Sequence, residues 1–264
     1  MGQSDLRKRI REYEDAYRTV LPRRLPLIIR VDGKSFHTLC RGMERPWDPI
    51  LKHAMDTAAM ALCMGIQGAK VAYTQSDEIT ILATDYDDIG TQSWFGKNLQ
   101  KMCSTAASIA SVTFTEALRF EGELLREGPY NRLATFDARC FIVPRHEVCN
   151  VFIDRQQDCV RNSIQMLGQS HFSHKELQGL SNNEIQEKLF QEREINWNDC
   201  KIWQKRGRCV ARKLSMDFGY PGEGKIMVTP RRHWTIDSEP PTFTQDRLYI
   251  ERFVWPEKDS KEEE

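Results

Sequence analysis

The chain has no excess of charge of either sign: 38 Lys and Arg stand against 38 Asp and Glu in 264 residues. Histone-like binding of nucleic acid by the field of the whole molecule is therefore excluded, and any such partner must be met by local basic clusters. Long apolar runs are missing too. Nothing approaches the roughly 20 consecutive apolar residues of a membrane span, and Met1 to Arg18 is charged from Asp5 onward without a signal-peptide core. The expectation is a soluble, cytoplasmic protein with no membrane partner. The eight cysteines (Cys40, Cys63, Cys103, Cys140, Cys149, Cys159, Cys200 and Cys209) contain no CxxC pair, which speaks for buried thiols in a reducing cytosol and against a disulfide framework. There is no internal repeat. What is present is 40% hydrophobic residues, enough for a sizeable core and too many for a mainly disordered chain.

The periodicities give an ordered set of elements. Asp5 to Ala16 reads as a short charged helix, and the β-branched run Leu25 to Val31, behind Pro22 and Pro26, as a buried strand. Asp48-Pro49 is an N-cap followed by an N1 proline, opening a helix through about Ile66. Ala69 to Thr74 and Ile79 to Thr84 read as strands joined by a tight turn, Gln75-Ser76-Asp77-Glu78, with an acidic loop at Asp85 to Asp88. Gly96 to Arg119 reads as a long helix, and Ala138 to Val143 as a strand stopped by Pro144. The order βαββαβ predicts an α+β, ferredoxin-like sheet in the order 4-1-3-2 with helices on one face. Helices are expected at about Glu147 to Leu167 and Asn182 to Glu192. Met216 to Glu264 is punctuated by Pro and Gly and ends in Lys258-Asp259-Ser260-Lys261-Glu262-Glu263-Glu264, which reads as a solvated tail. The division expected is a catalytic region over 1–150, a helical and basic region over 151–215 and a C-terminal extension over 216–264.

In that topology the end of strand one adjoins the turn between strands two and three. Asp32 therefore meets Asp77 and Glu78 at one sheet edge, about forty-five positions apart in sequence. Carboxylates gathered there repel unless a cation neutralises them, and hard oxygen ligands beside phosphates suit Mg²⁺. The chemistry expected is two-metal phosphoryl or nucleotidyl transfer, with Lys34 and His37 as nearby donors. Gly33, without a Cβ, lets its backbone approach a metal or phosphate closely.

At these residues the chain resembles the tRNA-His guanylyltransferase family, most closely its tRNA-His guanylyltransferase-like branch of 3′-to-5′ RNA polymerases. Arg30-Val31-Asp32-Gly33-Lys34-Ser35-Phe36-His37 resembles the family's R-hydrophobic-DGR-N-FH segment, and Tyr73 to Glu78 its YxQSDE turn. Phe136 to Arg139 resembles FDGR, and Arg155 to Cys159 resembles RQxDC. Ile195 to Asn198 with Lys205-Arg206-Gly207 resembles the N-aromatic-N and basic-Gly elements. The resemblance implies a palm like that of ordinary polymerases, two Mg²⁺ ions, ATP and GTP or other nucleoside triphosphates as substrates, tRNA as partner and a homotetramer.

Residue by residue, the resemblance makes Asp32, Asp77 and Glu78 catalytic, and Asp32, the Gly33 carbonyl and Asp77 the metal ligands. It places Gly33, Lys34, Ser35, Phe36, His37, Arg45, Ser76, Asn162, Asn198, Lys205 and Arg206 at the nucleotide. Lys97 and Lys101, expected on the long helix, fall near basic positions that hold the activating nucleotide or the RNA 5′ phosphate. One departure bears on the branch. The family's HINN run after RQxDC is replaced here by Val160-Arg161-Asn162-Ser163. Templated repair of 5′-truncated tRNA, after ATP or GTP activation of the 5′ phosphate, is favoured over anticodon-specific addition of guanosine to tRNA-His.

Two other readings use the same residues. Nucleotidyl and diguanylate cyclases share the palm and its acids, but have Gly-Gly where Gln75-Ser76 stands. RNA-binding ferredoxin-like modules display aromatics on strands that are aliphatic here. His171-x-x-His174 lacks a cysteine pair and reads as a polar loop or cap. Trp197 and Trp203 among Lys201, Lys205, Arg206 and Arg208 suit base stacking beside phosphate contacts, and Arg231-Arg232-His233 is a further basic point.

Overall fold

The computed structural model describes residues 3–125, 128–219 and 227–255. Its elements run α1 (Gln3–Ala16), β1 (Leu27–Gly33), α2 (Phe36–Leu39), α3 (Pro49–Gly65), β2 (Ala69–Gln75), β3 (Glu78–Ala83), α4 (Leu99–Leu125) and β4 (Phe136–Ile142). There follow α5 (Val148–His171), α6 (His174–Leu177), α7 (Asn182–Arg193), α8 (Ile202–Arg206), β5 (Arg208–Gly219), β6 (Met227–Asp237) and α9 (Leu248–Glu251).

The strands form one antiparallel sheet in the order β4-β1-β3-β2-β5-β6. The expected α+β 4-1-3-2 core is present, and β5 and β6 extend it beyond β2. The boundary expected near residue 216 thus falls inside β5, because the backbone of β2 supplies the edge on which the next strand pairs. Part of the expected tail, Pro256 to Glu264, lies outside the described residues.

Both faces of the sheet are covered, not one. Leu27, Ile29, Val31, Ile79 and Ile81 pack against α3 and α4 through Ala54, Ala58, Leu62, Ala106, Ala110 and Phe114, where small residues let the helices lie close. On the other face Ile28, Val71, Tyr73 and Leu82 pack against Phe152 and Cys159 of α5, and against Phe243, Ile250 and Val254 of the C-terminal segment. This follows from the strands themselves, which are apolar at successive positions and so offer two faces to bury. Gln156 fastens the second layer: its amide donates to the Pro241 carbonyl at 2.9 Å and its oxygen accepts from the Phe243 N–H at 2.8 Å. A third cluster, Ile164, Leu167, Phe172, Ile185 and Leu189, joins the end of α5 to α7.

The Asp48 cap is as the sequence indicates, with one carboxylate oxygen accepting from Ile50 N at 2.8 Å and Leu51 N at 2.9 Å. The long helix begins later than expected. Phe95, Gly96 and Lys97 all have φ between 48° and 60°, so Trp94–Lys97 is a separate turn and α4 starts at Leu99. All eight cysteines carry free thiols. No helix among the described residues is long and apolar enough to cross a membrane.

Candidate active site

β1 continues two residues past its apolar run, so that Asp32 and Gly33 are part of the strand. Asp32 pairs directly with Glu78 on β3 and with Asp137 on β4; Arg30 pairs with Thr80 and Arg139. Directly paired residues share a face. The α5 face of the sheet therefore carries a row of carboxylates, Asp137, Asp32 and Glu78, backed by a row bearing Arg139 and Arg30. Arg155 comes down from α5 onto this surface, its Nη1 donating to Glu78 Oε2 at 3.2 Å. Glu78 is further held by Thr80 Oγ1 at 3.1 Å and by Arg30 Nε at 3.7 Å.

Asp32 sits in a tense position. Burial, and then Asp137 across the strand pair, push its carboxyl above the ordinary value, against the pull of Arg139, Arg30 and Arg155. The turn behaves alike. Burial pushes the Asp77 carboxyl up, the Ser76 hydroxyl at 3.0 Å opposes this, and Asp32 and Glu78 push further upward. Ser76 itself takes φ 47°, the conformation that makes the two-residue link between Gln75 and Glu78. The Gly33 N–H donates to the Asp77 carbonyl at 3.0 Å, which joins the end of β1 to the acidic turn. A Cβ on Gly33 would lie 2.4 Å from the Phe36 ring and 2.9 Å from Asp77 Cβ, so only glycine fits.

Beside the turn opens a cleft of about 370 Å³ lined by Phe36, His37, Cys40, Glu44, Arg45, Pro46, Asp48, Ser76, Asp77, Met166 and Gln169 among others. A smaller cavity adjoins it across Pro46, Asp48, Leu51, Ser76 and Met166, and is reached by Asn162. The structure thus brings Asp32, Gly33, His37, Arg45, Ser76, Asp77 and Asn162 to one end of the sheet. Lys34 and Ser35 follow Gly33 on the exposed entry to α2, with Lys34 N donating to the Thr135 carbonyl at 2.9 Å. The Phe36 ring lines the cleft but is chiefly core, packed against Phe114 at 5.2 Å and Phe136 at 5.1 Å.

Asn198, Lys205 and Arg206 are near neighbours in sequence of Trp203 and Gln204, which line the smaller cavity, without being among its lining residues. Lys205 Nζ donates to the Asn198 carbonyl, and the Arg206 carbonyl accepts from Tyr73 at 2.9 Å. Of the two tryptophans suited to stacking, Trp197 donates from Nε1 to Ser163 at 3.0 Å and packs against the third core cluster.

Lys97 and Lys101 are not brought to this end. Leu27, at the start of β1, pairs with Ala83, and Lys97 lies just beyond that pair, its Nζ donating to Pro22 O at 3.0 Å, Leu25 O at 2.8 Å and Asp85 Oδ1 at 3.2 Å. Five residue steps along β1 separate Leu27 from Asp32, roughly 17 Å. Lys97 is 1% exposed, and burial lowers its pKa although Asp85 opposes the shift. Lys101 is exposed in the first turn of α4, at that same end.

Sequence reasoning left several residues of this region without a role. Asp137 and Arg139 stand in the FDGR-like motif and Arg155 in the RQxDC-like one, so the motifs held the signal and strand register supplied the meaning. Lys52, Asp56 and Trp47 carry no local signal, and nothing local pairs Trp203 with Trp47.

Among the described residues no three His, Cys, Asp or Glu side chains form a metal-ligating group. The donors present, two mutually repelling carboxylates in a partly buried site beside a backbone that must be glycine, are hard oxygens of the number Mg²⁺ takes from protein beside phosphates and water. They fit that ion.

An antiparallel palm-type sheet with carboxylates at the end of its central strands and a nucleotide-sized cleft beside them is the architecture of a palm-type nucleotidyltransferase. The sequence profile of tRNAHis guanylyltransferase (Thg1) matches residues 7–144, just over half of the chain. The tRNA(His) guanylyltransferase of Debaryomyces hansenii is 30% identical over 215 residues, 75% of this chain and 76% of that one. Among solved structures, a bacterial tRNA(HIS) guanylyltransferase (Thg1)-like protein in complex with ATP is 43% identical with a TM-score of 0.83, covering 95% of this chain and 99% of its own. A bacterial protein of the same description in complex with GTP is 40% identical, with a TM-score of 0.78, 95% of this chain and 99% of that chain being covered. The chain belongs to the tRNA(His) guanylyltransferase family and is a nucleotidyltransferase.

Proposed function

We propose that this chain is a Mg²⁺-dependent 3′-to-5′ nucleotidyltransferase that repairs 5′-truncated tRNA by templated addition. The observation that carries the reading is the bond from Gly33 N–H to the Asp77 carbonyl, which sets Asp32 and Asp77 together at the mouth of the cleft. The ATP and GTP bound to the bacterial relatives support a nucleoside triphosphate as occupant of that cleft.

The 5′ phosphate of the RNA first attacks the α-phosphate of ATP or GTP, displacing pyrophosphate and leaving an adenylylated end or its guanylyl counterpart. The 3′ hydroxyl of an incoming nucleoside triphosphate then attacks the RNA's 5′ phosphate and expels the activating nucleotide; an RNA with a 5′ triphosphate loses pyrophosphate directly. Two Mg²⁺ ions, when bound, supply charge stabilisation to the attacking and leaving oxygens. Asp32, the Gly33 carbonyl and Asp77 would hold them. Glu78 acts as an anchor: clamped by Arg155, Thr80 and Arg30, it fixes the turn that presents Asp77. His37, Ser76 and Arg45, on the cleft wall, orient the nucleotide by donating to its phosphate oxygens. Asn162 does so from α5, and Asn198 with Lys205 and Arg206 from the segment behind the smaller cavity. The tRNA's opposite strand selects the nucleotide, so the protein needs to recognise only backbone and shape.

The HINN departure supports repair over tRNA-His-specific addition. Val160 packs partly buried against the third core cluster. Ser163 is buried, its hydroxyl donating to Val160 O at 2.8 Å and accepting from Trp197 at 3.0 Å. Neither position offers a polar group to a second reader of RNA sequence. A homotetramer and a cytoplasmic setting complete the proposal, the latter in keeping with eight free thiols.

The test is incubation of the protein with Mg²⁺, ATP, labelled nucleoside triphosphates and either a 5′-truncated tRNA or full-length tRNA-His. Extension that follows the opposite strand and stops at a filled acceptor stem is expected. Addition of one guanosine to tRNA-His alone would move the protein to the anticodon-reading branch.

A further inference from the structure

The smaller cavity has a floor that the mechanism above does not use. Asp56 of α3 and Arg208 at the start of β5 lie 152 positions apart and are 2% and 4% exposed. Arg208 Nε donates to Asp56 Oδ1, and Lys52 Nζ, one turn earlier on α3, donates to Asp56 Oδ2 at 2.7 Å. Trp203 holds both cations from the side, its ring centroid 5.5 Å from Lys52 Nζ and 5.8 Å from Arg208 Cζ, and Trp47 meets Trp203 edge-on at 6.4 Å. Lys52, Arg208 and both tryptophans line the cavity together with Gln75, Ser76 and Asn162.

Two cations share one buried carboxylate, which leaves each of them with donors that Asp56 does not take up. Asp48 also borders the cavity, but its two oxygens already accept from Ile50 N, Leu51 N, Glu44 N and the Tyr130 hydroxyl. With Nε taken by Asp56, the guanidinium's remaining donor end is the planar fork that suits a phosphate or carboxylate. The cavity measures about 80 Å³. One water needs roughly 10–15 Å³ of that space, so the cavity has room for a phosphate group. It opens beside Ser76, next to Asp77, so a phosphate seated here is within a short chain of phosphates from the carboxylate pair.

We propose that Asp56 is a positioning residue that holds Arg208 and Lys52 as a buried cationic floor for the terminal phosphate of the nucleoside triphosphate. The proposal rests on the nucleotidyltransferase reading of the adjoining cleft. Its consequence is discrimination by phosphate count: the floor rewards a triphosphate and is out of reach of a monophosphate, whatever the base.

Equilibrium binding of ATP and of AMP to the full chain in Mg²⁺, with no RNA present, tests this apart from turnover. Arg208→Gln is expected to weaken ATP roughly ten- to hundredfold, the range of a charge-assisted hydrogen bond, and to leave AMP within about twofold. Lys52→Met keeps the neutral Arg208–Asp56 pair intact and so keeps the fold if Arg208→Gln does not; it should weaken ATP several-fold with AMP unchanged. Asp56→Asn should raise KM for ATP with little change in kcat, whereas a merely structural Asp56 would lower the melting temperature and leave KM alone. ATP and AMP affinities that fall together, or do not change, in a folded variant overturn the floor. A wild-type chain that binds ATP but extends no RNA overturns nucleotidyl transfer, and the ATP-to-AMP comparison still decides the floor.

Discussion

Gly33 and Asp77 are joined by a single backbone bond of 3.0 Å, from the N–H at the end of β1 to the carbonyl in the β2–β3 turn. Everything else about the proposed site depends on that approach. Asp32 belongs to β1 and Asp77 to the turn leading into its partner β3, and that turn would splay from the strand end if any side chain stood at 33.

Gly33→Ala tests this directly. Its methyl group would meet the Phe36 ring at 2.4 Å, and that ring is wedged between Phe114 and Phe136 and has nowhere to move. The strand end must give way, at about 1–3 kcal/mol, a typical overpacking cost. A folded protein with a lowered melting temperature and at least tenfold less nucleotide incorporation is expected. Full activity in Gly33→Ala would show that the Gly33–Asp77 contact does not set the site.

Asp77→Asn should separate function from stability in the opposite sense. Burial together with Asp32 and Glu78 pushes the Asp77 carboxyl upward, so the ionised form is under strain in the protein alone. Removing the charge relieves repulsion while keeping the side-chain shape. The variant should melt at or slightly above the wild-type temperature in the absence of Mg²⁺ and should add no nucleotides. A clear loss of stability, measured by calorimetry, would mean the carboxylate is a structural cap of the turn.

How far the chain could be read before folding differs from element to element. Asp48-Pro49 marks its helix because a cap is a local bond, and the β1, β2 and β3 runs announce themselves by apolar, β-branched composition. The end of β1 was less legible: the apolar run stops at Val31, and only pairing with Glu78 and Asp137 carries the strand through Asp32. Lys97 reads as part of the long helix because the Ala- and Ser-rich run after it has strong helical character. The left-handed backbone at Phe95, Gly96 and Lys97, of which Gly96 was the one hint, cuts it off. Asp137 stands inside the FDGR-like motif, yet its meaning needs strand register. Asp56 gives no signal and Arg208 reads only as one of a basic group, since a pair 152 residues apart exists only after β5 has joined the sheet.

Lys97→Met should distinguish a structural lysine from a nucleotide-binding one. The ammonium group satisfies the carbonyls of Pro22 and Leu25 and pairs with Asp85, itself 2% exposed. Removing it strands those acceptors and a buried carboxylate, which typically costs about 3–5 kcal/mol. Asp85 keeps the Arg24 N–H at 3.0 Å, so the lower end of that range is expected. The signature is a melting temperature lowered by roughly 10 °C with KM for ATP unchanged. A raised KM at unchanged stability would restore Lys97 to the nucleotide.

The C-terminal segment gives the pH dependence with a definite sign. Burial alone would raise the Asp237 carboxyl. Instead the Tyr249 hydroxyl, donating to Oδ2 at 2.7 Å, and the Glu239 N–H, donating to Oδ1 at 3.0 Å, hold it below the usual carboxylate range. A depressed folded-state value means that this pair stabilises the protein above about pH 4, where the unfolded carboxyl is ionised, and that the contribution fades as pH falls through the folded value. In Tyr249→Phe the ring still stacks on Phe243, with centroids 5.8 Å apart and planes at 20°, and the hydroxyl is lost. Part of the lost bond is made up by solvent, so a deficit of about 1 kcal/mol against wild type is expected at pH 7. Urea unfolding should show that deficit shrinking as pH falls below about 4 and through the folded value. A deficit that stays constant from pH 7 to pH 3 would place the effect in packing and not in the Tyr249–Asp237 bond.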